Sequence, residues 1–201
     1  MTPDIAQTPL FRKLPAQIDK VARTKDRFDA ALFFIQTAST VSSEDEATHP
    51  HRRRQATYCY SAALTNLCST EDSFNLDAED LGLADQWQAS RERDSFRTEP
   101  LIGVLRELRN YTVHFQFLEH HRRPFFAEWG GEVRDLGEPT YLAPIEWCEL
   151  SRLRNFQEER TSVTEETLDW FNRQVAIWPA GFLLAEASSR YAEVYTAFLS
   201  S

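Results

Sequence analysis

One segment limits the folds open to this chain more than any other: Leu105-Arg106-Glu107-Leu108-Arg109-Asn110-Tyr111-Thr112-Val113-His114-Phe115. At about 100° per residue, Leu101, Val104, Leu105, Leu108, Thr112 and Phe115 share one side of a helix, which makes that side a core face. The helix is predicted to run from near Thr98 to about Glu119. Thr98 suits the N-cap, Glu99 puts a carboxylate at the positive helix end, and Pro100 sits where its missing N–H would be unpaired anyway. Gly103, Asn110 and His114 fall in a narrow line roughly opposite the core face, with Glu107 beside them. A glycine inside a helix costs about 1 kcal/mol relative to alanine, so Gly103 in that line points to close approach of another helix.

The same line carries chemistry. Asn110 and His114 are i,i+4 neighbours, so the amide can orient the imidazole. Histidine exchanges a proton near neutral pH. Arg109 adds a fixed charge on a planar donor fork suited to phosphate. An arginine, an amide and a histidine on one helical segment suit a phosphodiester site. The plainer alternative is a polar helix face held by structural hydrogen bonds.

Arg109-Asn110-x-x-x-His114 resembles the Arg-x4–6-His signature of HEPN domains, in which an Asn commonly follows the Arg. The resemblance implies a helical bundle and a metal-independent endoribonuclease, set in toxin–antitoxin or antiviral defence, with no cofactor. It implies a homodimer through the motif helix, with Gly103 in the dimer interface, because Arg109 lies about 140° around an ideal helix from His114. In that scheme one His114 takes the ribose 2′-hydroxyl proton, attack gives a 2′,3′-cyclic phosphate, and the second His114 protonates the leaving 5′-oxygen. Arg109 offsets transition-state charge, Asn110 holds the histidine, and Glu107 orients the histidine or positions Arg109. An antitoxin or defence partner is implied by the same resemblance. The chain departs from the family at Gln116, where HEPN toxins modified by a partner nucleotidyltransferase often carry Tyr.

A chain of 201 residues with net charge −9 suits one soluble domain, 1–201, and lacks the overall basic surface of an RNA-coating protein. RNA contact would need a local patch. His120, His121, Arg122 and Arg123, just past the motif, are the favoured one, with His49-Pro-His51-Arg-Arg-Arg second. The plainer reading of each is a solvated loop or helix start. Cys59, Cys68 and Cys148 form no C-x-x-C pair, which suggests reduced thiols in a cytoplasmic protein. No metal site is expected, no secretory leader is recognisable, and no stretch approaches a membrane span.

Taken in order, residues 1–14 suggest an extended arm. Helices are expected from Pro15 to about Thr40, from Pro50 to about Ser69 and from Ala84 to Arg93, with a short helical turn at Asp77. After the motif helix, Pro124 marks a stop. Residues 124–146, with Gly130-Gly131, suggest a small hairpin or ordered loop that shapes substrate access or covers core. A helix over 145–159, another capped by Ser162 with Glu165, a break at Pro179 and a final helix carrying Tyr191 and Tyr195 complete the pattern. The expected class is all-α, an antiparallel four- to five-helix bundle with one insertion. The rival to the nuclease is a non-catalytic helical module that binds a nucleotide or a protein.

Overall fold

The computed structural model describes residues 20–42, 52–93, 99–114, 120–129 and 131–201. The proposed N-terminal arm, the first basic run up to His51, Thr98 and Gln116 lie outside them.

Two long helices set the frame. α1 (Ala22–Ser42) packs along α2 (Arg52–Asp80), and the start of the first meets the end of the second. The Asp77 carboxylate accepts from Thr24 N at 2.9 Å and Thr24 Oγ1 at 2.8 Å, while Arg23 reaches Asp77 and Asp80. Asp77 therefore serves α1 as a cap supplied by another helix, a carboxylate at the positive end. Val21, Phe28 and Ile35 of the expected α1 stripe are buried, as are Ala56, Cys59, Tyr60, Ala63, Leu64 and Leu67 of α2.

The second helix runs eleven residues beyond Ser69 to Asp80, where the sequence suggests a break. Ser69, Thr70, Asp72 and Ser73 are weak helix formers, but packing overrides them. Phe74 and Ala78 are buried, Thr70 Oγ1 donates to Leu67 O, and Glu71 pairs with two arginines. The helix ends in a Schellman turn: Gly82 adopts φ 70°, Gly82 N donates to Glu79 O and Leu83 N to Ala78 O. α3 (Ala84–Arg93) matches the expected span. It returns over α2, with Trp87 Nε1 on Asn75 Oδ1 at 2.7 Å.

The motif helix α4 (Pro100–His114) follows. Glu99 caps it, its carboxylate accepting from Ile102 N at 2.8 Å, and residues 115–119 lie outside the description. Leu101, Val104, Leu105 and Leu108 are buried as expected. So are Ile102, Gly103, Glu107 and Tyr111. Of the polar line, Gly103 and Glu107 are thus covered by the chain itself, while Asn110 is half-buried.

The stop near Pro124 introduces strands. β1 (His120–Arg122) pairs antiparallel with β4 (Thr140–Leu142), and between them β2 (Phe126–Trp129) and β3 (Glu132–Asp135) form a hairpin. Gly131 takes φ 83° at its turn, where a side chain would be strained. Phe125, Ala127 and Tyr141 form a small core against Trp178 and Phe182. The insertion covers core.

The single helix expected over 145–159 is two short pieces, α5 (Trp147–Leu150) and α6 (Arg154–Gln157). Leu150 and Leu153 are both buried, and the chain turns between the two pieces, with Leu153 N donating to Leu150 O. α7 (Glu165–Val175) is capped by Thr164, whose hydroxyl accepts from Thr167 N, not by Ser162. α8 (Ala180–Leu199) starts after Pro179. Its start lies by Ile35, Ser39 and Tyr60, where a Cβ on Gly181 would come within 3.1 Å of Ser39 Oγ. Its far end carries Tyr195 onto Phe28, Phe74 and Thr70. The described chain is mostly helical, with eight helices and four short strands. No helix among the described residues is long and apolar enough to cross a membrane.

Candidate functional site

α4 forms one wall of a cleft of about 630 Å³. Gly103, Arg106, Glu107, Arg109 and Asn110 line it from this helix, and Leu153, Arg154, Asn155 and residues 159–162 line it from the segment that runs through α6. Three of the four residues expected to be catalytic, Glu107, Arg109 and Asn110, therefore meet in one cavity. The fourth, His114, ends α4 in the backbone, and its side chain falls outside the described ones.

Glu107 is only 6 % exposed. Its carboxylate accepts from Asn110 Nδ2 at 3.3 Å and from Asn155 Nδ2 at 3.3 and 3.5 Å. A buried carboxylate needs donors, and two amides from opposite walls supply them. Arg109 is half-buried, and its Nε is buried with no hydrogen-bond partner among the described residues. Arg106 faces Glu71 at 3.4 Å, and Arg91 holds the other oxygen of Glu71 at 2.5 Å. Behind α4, the Cys68 thiol is pushed up to about 12 by burial, against the pull of Arg109 and Arg106, so it stays protonated.

The second wall is rigidly seated. Asn172 clasps Ile145 through both its amide N–H and its carbonyl oxygen, at 2.9 and 3.0 Å. Glu146 and Glu149 form a capping box, and Glu149 also accepts from Tyr111 OH on α4 at 3.2 Å. Trp147 packs edge-on against Phe156. α6 then ends in a Schellman turn with a non-glycine residue in the left-handed position: Glu159 takes φ 53°, Glu159 N donates to Phe156 O and Arg160 N to Asn155 O at 2.7 Å. Glu158 binds Arg154 Nε at 2.6 Å and Arg160 Nη1 at 3.0 Å.

Among the described side chains of the basic run at 120–123, those of His121, Arg122 and Arg123 do not line this cleft. Arg123 lies 3.9 Å from the Tyr141 ring centre and donates to Ala176 O, Arg122 donates to Glu138 O, and the exposed His121 ring stacks on Tyr141. The side chain of His120 lies outside the description. Asn155, Arg154 and Arg160 were not singled out by the sequence. Their one signal is the density of arginine and glutamate in Arg152–Arg160, which resembles any solvated helix. Cys59 and Cys68 are buried and Cys148 is exposed, all three as free thiols. No protein-family model, curated protein or solved structure matches the chain.

Proposed function

We propose that this chain is a HEPN-type, metal-independent endoribonuclease built on an antiparallel helical bundle and acting as a homodimer, in a toxin–antitoxin or antiviral setting. One observation carries the reading: Arg109 and Asn110 line the same cleft as Glu107, and the buried Nε of Arg109 has no hydrogen-bond partner among the described residues. An arginine N–H without an acceptor can serve an anion, and a transition state that gains charge on phosphate is such an anion. Glu107, spoken for by two amides, fixes the Asn110 side chain.

In this reading two copies of α4 supply the reacting groups. Arg109 from one copy meets the phosphate, and His114 residues act as base and acid for 2′-hydroxyl attack and departure of the 5′-oxygen. Gly103 is already buried within its own chain, so the two copies meet toward the C-terminal end of α4. His120, His121, Arg122 and Arg123 serve RNA that extends past the cleft.

A second reading has one observation in its favour. A cavity of about 630 Å³ is in the size range of small-molecule sites, which suits a non-catalytic nucleotide-binding module. RNA cleavage in EDTA by wild type, His114→Ala and Arg109→Ala separates the two. The nuclease predicts a loss of about 10²–10⁴-fold for His114→Ala with the dimer intact. Equal cleavage by all three, or none by the wild type on varied RNAs, favours the binding module.

A further inference from the structure

We infer that the turn after α6 is a backbone-phosphate subsite for single-stranded RNA, with Arg154 and Arg160 as its cationic residues. The inference deepens the nuclease reading by giving the cleft a second phosphate position, away from the Arg-x4-His motif.

Arg154 and Arg160 both line the cleft, and their side chains are 79 % and 67 % exposed. One carboxylate, Glu158, holds both: Arg154 through Nε and Arg160 through Nη1. Sharing one anion fixes the two guanidiniums close together and leaves the other N–H groups of each for a second anion, in the forked geometry that arginine offers to phosphate. The cleft lining as a whole carries four arginines, Arg106, Arg109, Arg154 and Arg160, against two carboxylates, Glu107 and Glu159, which makes it locally positive on a chain of net charge −9.

The backbone supports the same conclusion. Glu159 sits at φ 53°, where a residue with a Cβ is strained and glycine would be the ordinary choice. Such strain concentrates where a side-chain direction is worth keeping. The turn carries Glu159, Arg160, Thr161 and Ser162 onto the cleft wall, and Asn155 ties it to Glu107 on the motif helix. A phosphate at Arg109 and a phosphate at this turn would then be held on two walls bound to each other. Arg106, engaged with Glu71, is left to structure.

The test uses a non-cleavable 2′-O-methyl single strand, with binding followed by fluorescence anisotropy over a range of salt. Wild type, Arg154→Ala/Arg160→Ala, Arg134→Ala and His114→Ala are compared. Arg134 is exposed on the β2–β3 hairpin and outside the cleft, so its loss reports overall charge. The double variant should bind at least about tenfold more weakly, with a salt slope shallower by about 1.4, the value for two lost phosphate contacts on a single strand. Arg134→Ala should bind like wild type. Binding by the double variant within about twofold of wild type, an equal loss in Arg134→Ala, or no binding by wild type overturns the subsite. Matched thermal melts confirm that the double variant is folded. If the double variant loses binding while no variant or wild type cleaves RNA, the subsite stands and the nuclease reading falls. If His114→Ala abolishes cleavage while the double variant binds normally, the reverse holds.

Discussion

Asn155 Nδ2 lies 3.3 Å from Glu107 Oε2, and this contact ties α6 to the motif helix. It joins residues 48 positions apart across the cleft, and Asn110 donates to the same carboxylate oxygen. Removing the acceptor strands two amides, one on each wall. Glu107→Ala should therefore cost about 1–3 kcal/mol, the penalty for unmade hydrogen bonds to a buried charged group. Asn155→Ala should cost less, because Asn110 still serves the carboxylate. Urea denaturation of both single variants and the double variant checks this. The double should lose less than the sum of the singles by at least about 0.5 kcal/mol; strict additivity would mean that the contact carries no stability.

That contact also marks where sequence information stops. The helical class, the span of α3, the stripes of α1 and α2 and the turn at Gly131 follow from periodicity and from residues with a local effect. The site was legible only on α4, where Glu107, Arg109 and Asn110 fall within one turn of helix. Its other wall was not, because Arg154, Asn155 and Arg160 acquire meaning only when Leu150 and Leu153 bury and fold the segment over α4. The same kind of long-range packing carries α2 past Ser69: Phe74 sits 4.3 Å from the Tyr195 ring, centre to centre, and no local propensity reports that. Glu107 looked like a flank of a surface line because a helical wheel cannot show what another segment covers.

Glu159 offers a test of the turn that needs no ligand. Its φ of 53° should be relieved by Glu159→Gly, since glycine enters the left-handed region without a Cβ clash. Glycine gives back part of that gain through a more flexible unfolded chain. The expected outcome is a net gain of about 0.5–1 kcal/mol, read as a higher urea midpoint at unchanged m. A lower midpoint would show that the Glu159 side chain contributes more than its backbone strain costs.

The three thiols should separate cleanly by reactivity. Cys148 is exposed, whereas Cys59 and Cys68 are buried, so Ellman's reagent should titrate one thiol in the native protein and three after unfolding. The Cys148 thiol donates to Glu146 Oε2 at 3.3 Å. That hydrogen bond, helped by partial burial and by the charge of Glu146, holds its pKa above the ordinary thiol value. Only the thiolate attacks the reagent, so Glu146→Gln should lower the pKa and speed labelling near pH 8. An unchanged rate would show that Glu146 does not govern this thiol.

Alkaline conditions should unfold this protein through its buried tyrosines. Tyr191 and Tyr195 are at most 1 % exposed, and burial, the largest cause for each, raises both well above the usual 10.0. Below about pH 10 both are protonated in the folded and unfolded chains, and their contribution is constant. Above it the unfolded chain releases these protons while the folded chain keeps them, so the unfolded state binds fewer protons and stability falls as pH rises. Each tyrosine contributes a slope of up to about 1.4 kcal/mol per pH unit. The Cys68 thiol, raised from 9.0 to about 12, adds to the decline from about one unit lower. Urea midpoints measured across this range should drop steadily, and the tyrosinate absorbance of Tyr191 and Tyr195, read as the difference between wild type and the Tyr191→Phe and Tyr195→Phe variants, should appear together with unfolding. Tyr195→Phe loses its hydrogen bond with Thr70 and starts less stable, yet its midpoint should decline less steeply. The same difference absorbance appearing in the folded protein at the ordinary pKa would show that the α8 core admits water to these hydroxyls.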